Sequence, residues 1–204
     1  MALFTPSKGY KTLDFQSNTD TRSTTSVSGI TFRVKTGAQQ WSFKLQSPSL
    51  SRADMMADYS FIVQLDGQLT GFTIIPPGIG SARGTASSTW GIDTTTSTDP
   101  LHSPAIGSSN VALDNTGGGT LLKGDLIKFS NHDKVYMVTA DTNVDGSTKS
   151  RLSFYPPLIA AVAADTTVVY DNVPIKVFQD KDQIKFITQT NGTYKYELVL
   201  NEDI

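Results

Sequence analysis

The sequence predicts a mainly β protein: a β-sandwich with one α-helix, interrupted by a small β-barrel. Three observations carry this expectation. Apolar residues fall in short alternating runs, the period of a strand with one covered face. Serine and threonine make up nearly a quarter of the 204 residues, and threonine suits a pleated surface. Glutamate occurs only at Glu197 and Glu202, so long helices would lack one of their best formers.

The elements follow in order. From Thr19 to Ser28 the chain is polar and turn-like, which predicts an exposed hairpin loop or arm. Ile30, Phe32 and Val34 then alternate with Thr31, Arg33 and Lys35, predicting a strand with one buried face. Trp41, Phe43 and Leu45 repeat the pattern after a turn containing Gly37. One helix is expected, from about Arg52 to Leu65. Ser51 is placed to cap its first turn, with Asp54 three residues on imitating a capping box. Met55, Tyr59, Ile62 and Val63 would share its apolar face, and Gly67 would take the left-handed position beyond its end. Phe72 to Ile75 reads as a strand halted by Pro76 and Pro77.

From Gly78 to about Asp99 periodicity disappears, as in a long loop or linker. Strands resume at Leu126 to Phe129, Val135 to Ala140 and Arg151 to Phe154, the last closed by Pro156 and Pro157. These make a small barrel or meander. Beyond an alanine-rich stretch come Val168 to Tyr170, Ile175 to Phe178, Ile184 to Thr188 and Tyr194 to Leu200. Asn191-Gly192 marks the final hairpin turn, and Asn201 to Ile204 reads as a polar tail. The closing strands are too few to fold alone, and the opening ones lack partners. The expected organisation is therefore discontinuous. Residues 1–84 with 168–204 form the sandwich, and residues 85–167 form the inserted barrel.

Charge and composition exclude several function classes. The net charge is -2, from 17 Lys+Arg against 19 Asp+Glu, with no basic surplus for a phosphate backbone. No nucleic acid is expected as a partner. There is no cysteine, hence no disulfide, thiolate zinc site or thiol nucleophile. No apolar run reaches the ~20 residues of a membrane span, and the opening MALFTPSKGYKTLDF is unlike a signal peptide. Synthesis in a cytoplasm follows, with the chain staying there or leaving inside an assembly.

Candidate chemistry is thin. Asp141-Thr142-Asn143-Val144-Asp145-Gly146 imitates the start of a calcium loop, but its twelfth position is Leu152 and no helices flank it, so a hairpin turn is favoured. His102 and His132 lie in separate loops without ligand spacing and read as solvated turn residues. Gly78-Ile79-Gly80 does not continue into a dinucleotide fingerprint. Gly117-Gly118-Gly119 lacks the lysine and serine of a P-loop. No serine sits in a nucleophile elbow, and Asn191-Gly192-Thr193 is a turn before it is a sequon. Carboxylate pairs of the glycosidase kind can always be imagined among so many aspartates, which makes that signal unspecific. Phe129, Tyr136, Phe154 and Tyr155 could line a ligand face on the barrel, although the strand positions of the first three favour the core. Trp90, in the polar linker, is either an exposed contact or tucked against a domain. No catalytic, cofactor or metal site is assigned, and an enzyme is not expected.

Three ordered stretches carry a resemblance. The first runs from Trp41-Ser42-Phe43-Lys44-Leu45 through Pro48-Ser49-Leu50-Ser51-Arg52-Ala53-Asp54 to Leu65-Asp66-Gly67-Gln68-Leu69-Thr70-Gly71-Phe72-Thr73. The second joins Leu122 to Phe129, Val135 to Asp141 and Leu152 to Leu158; the third runs from Val177-Phe178 to Tyr196-Glu197-Leu198. Together they cover roughly two thirds of the chain and resemble the distal tail proteins (Dit) of siphophages, most nearly those of the T-five-like coliphages. The resemblance implies a sandwich core whose copies form a homo-hexameric ring joining tail tube protein to baseplate hub protein. It also implies an inserted barrel of the oligosaccharide/oligonucleotide-binding (OB) type. Many relatives continue into a galectin-like domain that holds receptor-binding proteins; here the chain stops at Ile204 after the closing strands, so no such arm-holding role is expected.

The expected function is therefore a structural virion protein at the tail tip, without cofactor, made in the host cytoplasm. Tail fibre or collar proteins are further candidate partners. The alternative is a carbohydrate-binding module whose barrel meets a host surface glycan through Trp90 or Tyr155.

Overall fold

The computed structural model describes residues 2–87, 90–92, 104–113, 118–144, 150–163 and 166–204. Its strands begin with β1 (Thr12–Asn18), β2 (Thr21–Thr25), β3 (Thr31–Lys35) and β4 (Gln40–Gln46). Helix α1 (Arg52–Val63) and β5 (Phe72–Ile74) follow. Next come β6 (Trp90–Gly91), β7 (Asn110–Leu113), β8 (Gly119–Leu121), β9 (Leu126–Phe129) and β10 (Val135–Val138). The series ends with β11 (Thr142–Val144), β12 (Ser150–Tyr155), β13 (Thr167–Val169), β14 (Ile175–Gln179), β15 (Phe186–Thr188) and β16 (Tyr194–Glu202). The protein is thus mainly β, with a single helix among the described residues, the class the composition predicts, and its chain folds into two compact units.

The first unit comprises Met1–Thr73 and Val177–Asp203. Its sheet runs in the order β1-β4-β16-β14-β5, with β15 added to the first part of β16. Alternation explains the covered face: Trp41, Phe43 and Leu45 from β4 meet Tyr196, Leu198 and Leu200 from β16, all buried. Phe15 of β1 stacks on Trp41 and Phe43, with ring centroids 4.6 and 5.2 Å apart. Helix α1 starts where expected, because the Ser51 hydroxyl accepts from the Asp54 N–H. It buries Met55, Asp58 and Ile62. Val63, expected on that face, is 48% exposed, because it stands about 100° around the helix from Ile62. Gly67 does take the left-handed conformation, with φ +66°, and a Cβ there would lie 2.6 Å from Asp182 Oδ1.

Two further expectations are corrected. β16 runs on to Glu202, which is fully buried and accepts from the Trp41 N–H at 3.1 Å; it belongs to the sheet and not to a polar tail. The alternating run Ile30, Phe32, Val34 does form a strand, but none of the described residues covers it, and all five residues of β3 are exposed.

The second unit comprises Ile74–Lys176 together with Ile204. Its six-stranded sheet has the order β6-β13-β9-β10-β12-β7. An antiparallel bridge between Ile92 and Leu113 brings the two ends of that order together, so the sheet curls around its own core. A second ladder pairs β8 with β11. The core is rich in rings: Phe129, Tyr136 and Phe154 meet pairwise with centroids 5.1–5.5 Å apart, all edge to face. Trp90 was expected in a linker. Instead it lies in β6, pairs with Val168 of β13, and is 1% exposed. Two residues are too short a run to announce a strand.

Candidate functional site

The most exposed apolar structure among the described residues is the hairpin β2–β3. It continues the ladder of β1 and β4 outward: Asn18 pairs with Gln40, and beyond a short break Thr21 pairs with Lys35. The Thr36 N–H donates to the Asp20 carbonyl at 2.9 Å, and a Cβ on Gly37 would lie 3.2 Å from the Asp20 Cβ, so the root is tight. At the tip Ser26 N–H donates to the Ile30 carbonyl, with Gly29 at φ +82° making the turn.

The register puts Arg22 opposite Val34 and Thr24 opposite Phe32, hence on one face. Phe32 and Val34 are 59% and 62% exposed, and Ile30 and Val27 extend the apolar surface to the tip. The other face carries Thr21, Ser23, Thr25, Thr31, Arg33 and Lys35. A two-stranded ribbon is marginal alone in water, and a contiguous exposed apolar face marks a contact surface. The sequence contained a clue to this exposure: β2, the only strand paired with β3 among the described residues, is Thr-Arg-Ser-Thr-Thr and offers no apolar residue across the ladder.

The first unit also contains a buried polar hub. Asp58 on α1 accepts from Tyr196 Oη at 3.0 Å, Ser7 Oγ at 2.6 Å and Ser7 N–H at 3.0 Å. Burial, then the Asp58 charge, pushes Tyr10 up to about 12. The same two causes, with the hydrogen bond to Asp58, raise Tyr196 further. Both phenols are held in their neutral form, and that of Tyr196 is a donor.

The residues singled out for chemistry do not converge. Trp90 is a core residue whose Nε1–H points to the Gly118 carbonyl at 3.4 Å, so it presents no ring to a sugar. Phe129, Tyr136 and Phe154 are core as well, and Tyr155 alone of that set is exposed, at 39%. His132 is within 2.7 Å of Tyr136 Oη through Nε2 and of Asn131 Oδ1 through Nδ1, which makes it a turn fastener. Its pKa is lowered by burial and then by Lys128, against the opposing pull of Asp133. Asp133 is held low chiefly by its hydrogen bond from Lys128 Nζ, at 2.8 Å.

Asp141 accepts from the Lys123 N–H at 2.7 Å. Thr142 to Val144 of the calcium-like loop form β11, whereas Asp145-Gly146 lies outside the described residues, as do His102 and Gly117. Gly118 and Gly119 meet the segment from Thr85 to Ser87; a Cβ on Gly119 would fall 2.1 Å from the Thr85 carbonyl oxygen. Gly84 is equally tight against Thr120, and Arg83 bridges to the buried carboxylate of Asp125 at 3.0 Å. These glycines serve backbone packing. Among the described residues no group of three or more metal-ligating side chains occurs, and no helix is long and apolar enough to cross a membrane.

Residues 92–173 match a family model, that of the B domain of distal tail protein pb9. No curated protein matches the chain. The matched stretch lies within the second unit and spans most of its curled sheet. The match supports a structural role in a phage tail.

Proposed function

From that match we propose that the chain is a non-enzymatic distal tail protein, a ring adaptor joining the tail tube to the baseplate hub at the tip of a siphophage tail. The observation that carries the reading is the family match over residues 92–173. The arm adds a physical argument. Ring subunits need two different surfaces that meet head to tail around the axis, and a hairpin with an uncovered apolar face supplies one of the two. In this reading copies of the chain form a hexamer through the arms and the edges of the first unit, and the second unit is an OB-type barrel. The T-five-like relationship and the placement of domains at 1–84 with 168–204 and 85–167 belong to the same proposal.

The test is the copy number of this chain in purified phage particles, by quantitative mass spectrometry, with antibody labelling to locate it. About six copies per particle, labelled at the tail tip, is the expected outcome for one closed ring. A count in the tens or hundreds moves the chain to the tube or capsid, and absence from particles removes the proposal.

A further inference from the structure

The first unit has a second uncovered apolar surface, the outer face of α1. Met55, Asp58 and Ile62 turn the inner face of the helix into the unit. On the opposite side stand Ala53, Met56, Ala57, Ser60, Val63 and Gln64, all exposed and none charged. A surface helix ordinarily carries charge on its solvent side. Here Met56 and Val63 are 44% and 48% exposed, and the side chains of Ala57 and Ser60 are short, so a ribbon can lie close to the helix. Elsewhere in the unit exposed apolar residues are broken up by charge: Ile187 pairs with Lys195, and Val199 with Lys44.

The arm fits this face in length and in charge. The five residues of β3 span about 17 Å, and the 12 residues of α1 about 18 Å. From Thr21 to Lys35 the arm carries Arg22, Arg33 and Lys35 and no acidic residue, which leaves 14 of the 17 Lys+Arg to face all 19 Asp+Glu in the rest of the chain. A basic arm on an acidic body favours contact with another copy's body and disfavours contact between two arms. The helix end is complementary as well. Its last turn holds no basic residue, exposed Asp66 follows it, and the helix dipole adds partial negative charge there. Arg22 shares the apolar face of the arm, opposite Val34.

We propose that the arm of one copy lies along the outer face of α1 in the next, with Phe32 and Val34 against Met56 and Val63 and with Arg22 at the C-terminal end of the helix, beside Gln64 and Asp66. The inference rests on the ring reading and names the second surface that reading requires. Arm and helix face are both exposed within one chain, so neither covers the other in the same copy. Each copy then gives an arm on one side and receives one on the other, and the contact repeats head to tail.

The test is cross-linking of the full chain, which has no cysteine of its own. T24C puts a thiol on the apolar face of the arm, opposite Phe32, and S60C puts one on the outer face of α1. In concentrated solution a short bismaleimide should join T24C/S60C copies into a ladder ending at about six. S23C/S60C, with its arm thiol on the opposite face of the ribbon, should give about tenfold less product. R22E added to the T24C/S60C pair should cut the yield about fivefold, and Q64R added to that should restore it to within about twofold. All four side chains are exposed, so melting should not change. Equal ladders from both cysteine pairs would mean unspecific collision and would overturn the proposal. A hexamer in sedimentation without a T24C/S60C ladder would overturn this interface and leave the ring standing. No ladder from a chain that sediments as a monomer would overturn the interface too, the ring itself being decided by copy number in particles. In particles that incorporate the variant, cross-linking of S60C to a different virion protein would give the helix face to that protein and overturn the proposal.

Discussion

Two hairpins in this molecule have similar sequence patterns and opposite environments. In the second unit, β9 and β10 pair through Val135–Lys128 to Met137–Leu126, and their apolar residues Leu126, Ile127, Phe129, Val135, Tyr136 and Val138 are all buried. In the arm, β2 and β3 pair just as regularly, yet Phe32 and Val34 are more than half exposed. The difference lies in the neighbours. β9 and β10 have β13 on one side and β12 on the other, and a curled sheet closes over them; β3 has only the polar β2. Alternation therefore announces a strand with one apolar face, and says nothing about which molecule will cover that face.

The sharpest way to break the comparison is to truncate one ring from each hairpin. Phe129→Ala removes a fully buried ring in edge-to-face contact with Tyr136 and Phe154, and should lower unfolding stability by about 3–5 kcal/mol. Chemical denaturation monitored by tyrosine and tryptophan fluorescence would measure it. A loss below about 1 kcal/mol would mean that the barrel core is not packed as described.

A smaller effect is expected where a covered strand carries a polar tip. Tyr196→Phe leaves one oxygen of Asp58 without its donor inside the first unit, for a loss of about 1–3 kcal/mol. Asp58→Ala should cost a similar amount by stranding Tyr196 and Ser7. The hub also sets an alkaline limit. Burial raises Tyr10 in the folded chain to about 12, whereas an unfolded tyrosine ionises near 10. The stabilisation is complete below about pH 10 and is lost as pH rises through about 12, because only the unfolded chain ionises freely in that window. Tyr10→Phe together with Tyr196→Phe should flatten the fall in melting temperature over that range. An unchanged slope would show that the hub does not control it.

Smaller still is the helix start. Ser51→Ala removes the oxygen that accepts from the Asp54 N–H and should cost about 1 kcal/mol, since the cap lies at the surface. Melting of the two chains side by side would detect it, and Ser51→Asp should restore most of the loss.

How much of this could be read in advance follows the same division. The cap at Ser51, the left-handed Gly67 and the closing alternation Tyr196, Leu198, Leu200 were legible because each depends on residues close in sequence or on one covered face. β1 was not, because only Leu13 and Phe15 mark it and its pairing with β4 spans the whole arm. Trp90 misled for a related reason: a two-residue strand has no period, and its burial depends on β13, far along the chain. The exposure of Phe32 could have been anticipated from the polar β2, had pairing been weighed before periodicity.

The arm itself should give the smallest change in the isolated chain and the largest in any assembly. Phe32→Ser with Val34→Ser exchanges two exposed apolar side chains for polar ones without touching the ladder hydrogen bonds, so unfolding stability should move by no more than about 0.5 kcal/mol. If the apolar face is covered by a neighbouring copy, the same variant should sediment as a monomer at concentrations where the parent forms higher species. It should also fail to enter particles when supplied in place of the parent. Loss of stability in the monomer would instead show that the face is covered within the chain. Unaltered sedimentation and incorporation would show that no partner covers it, and the contrast between the two hairpins would then be one of solvent exposure alone.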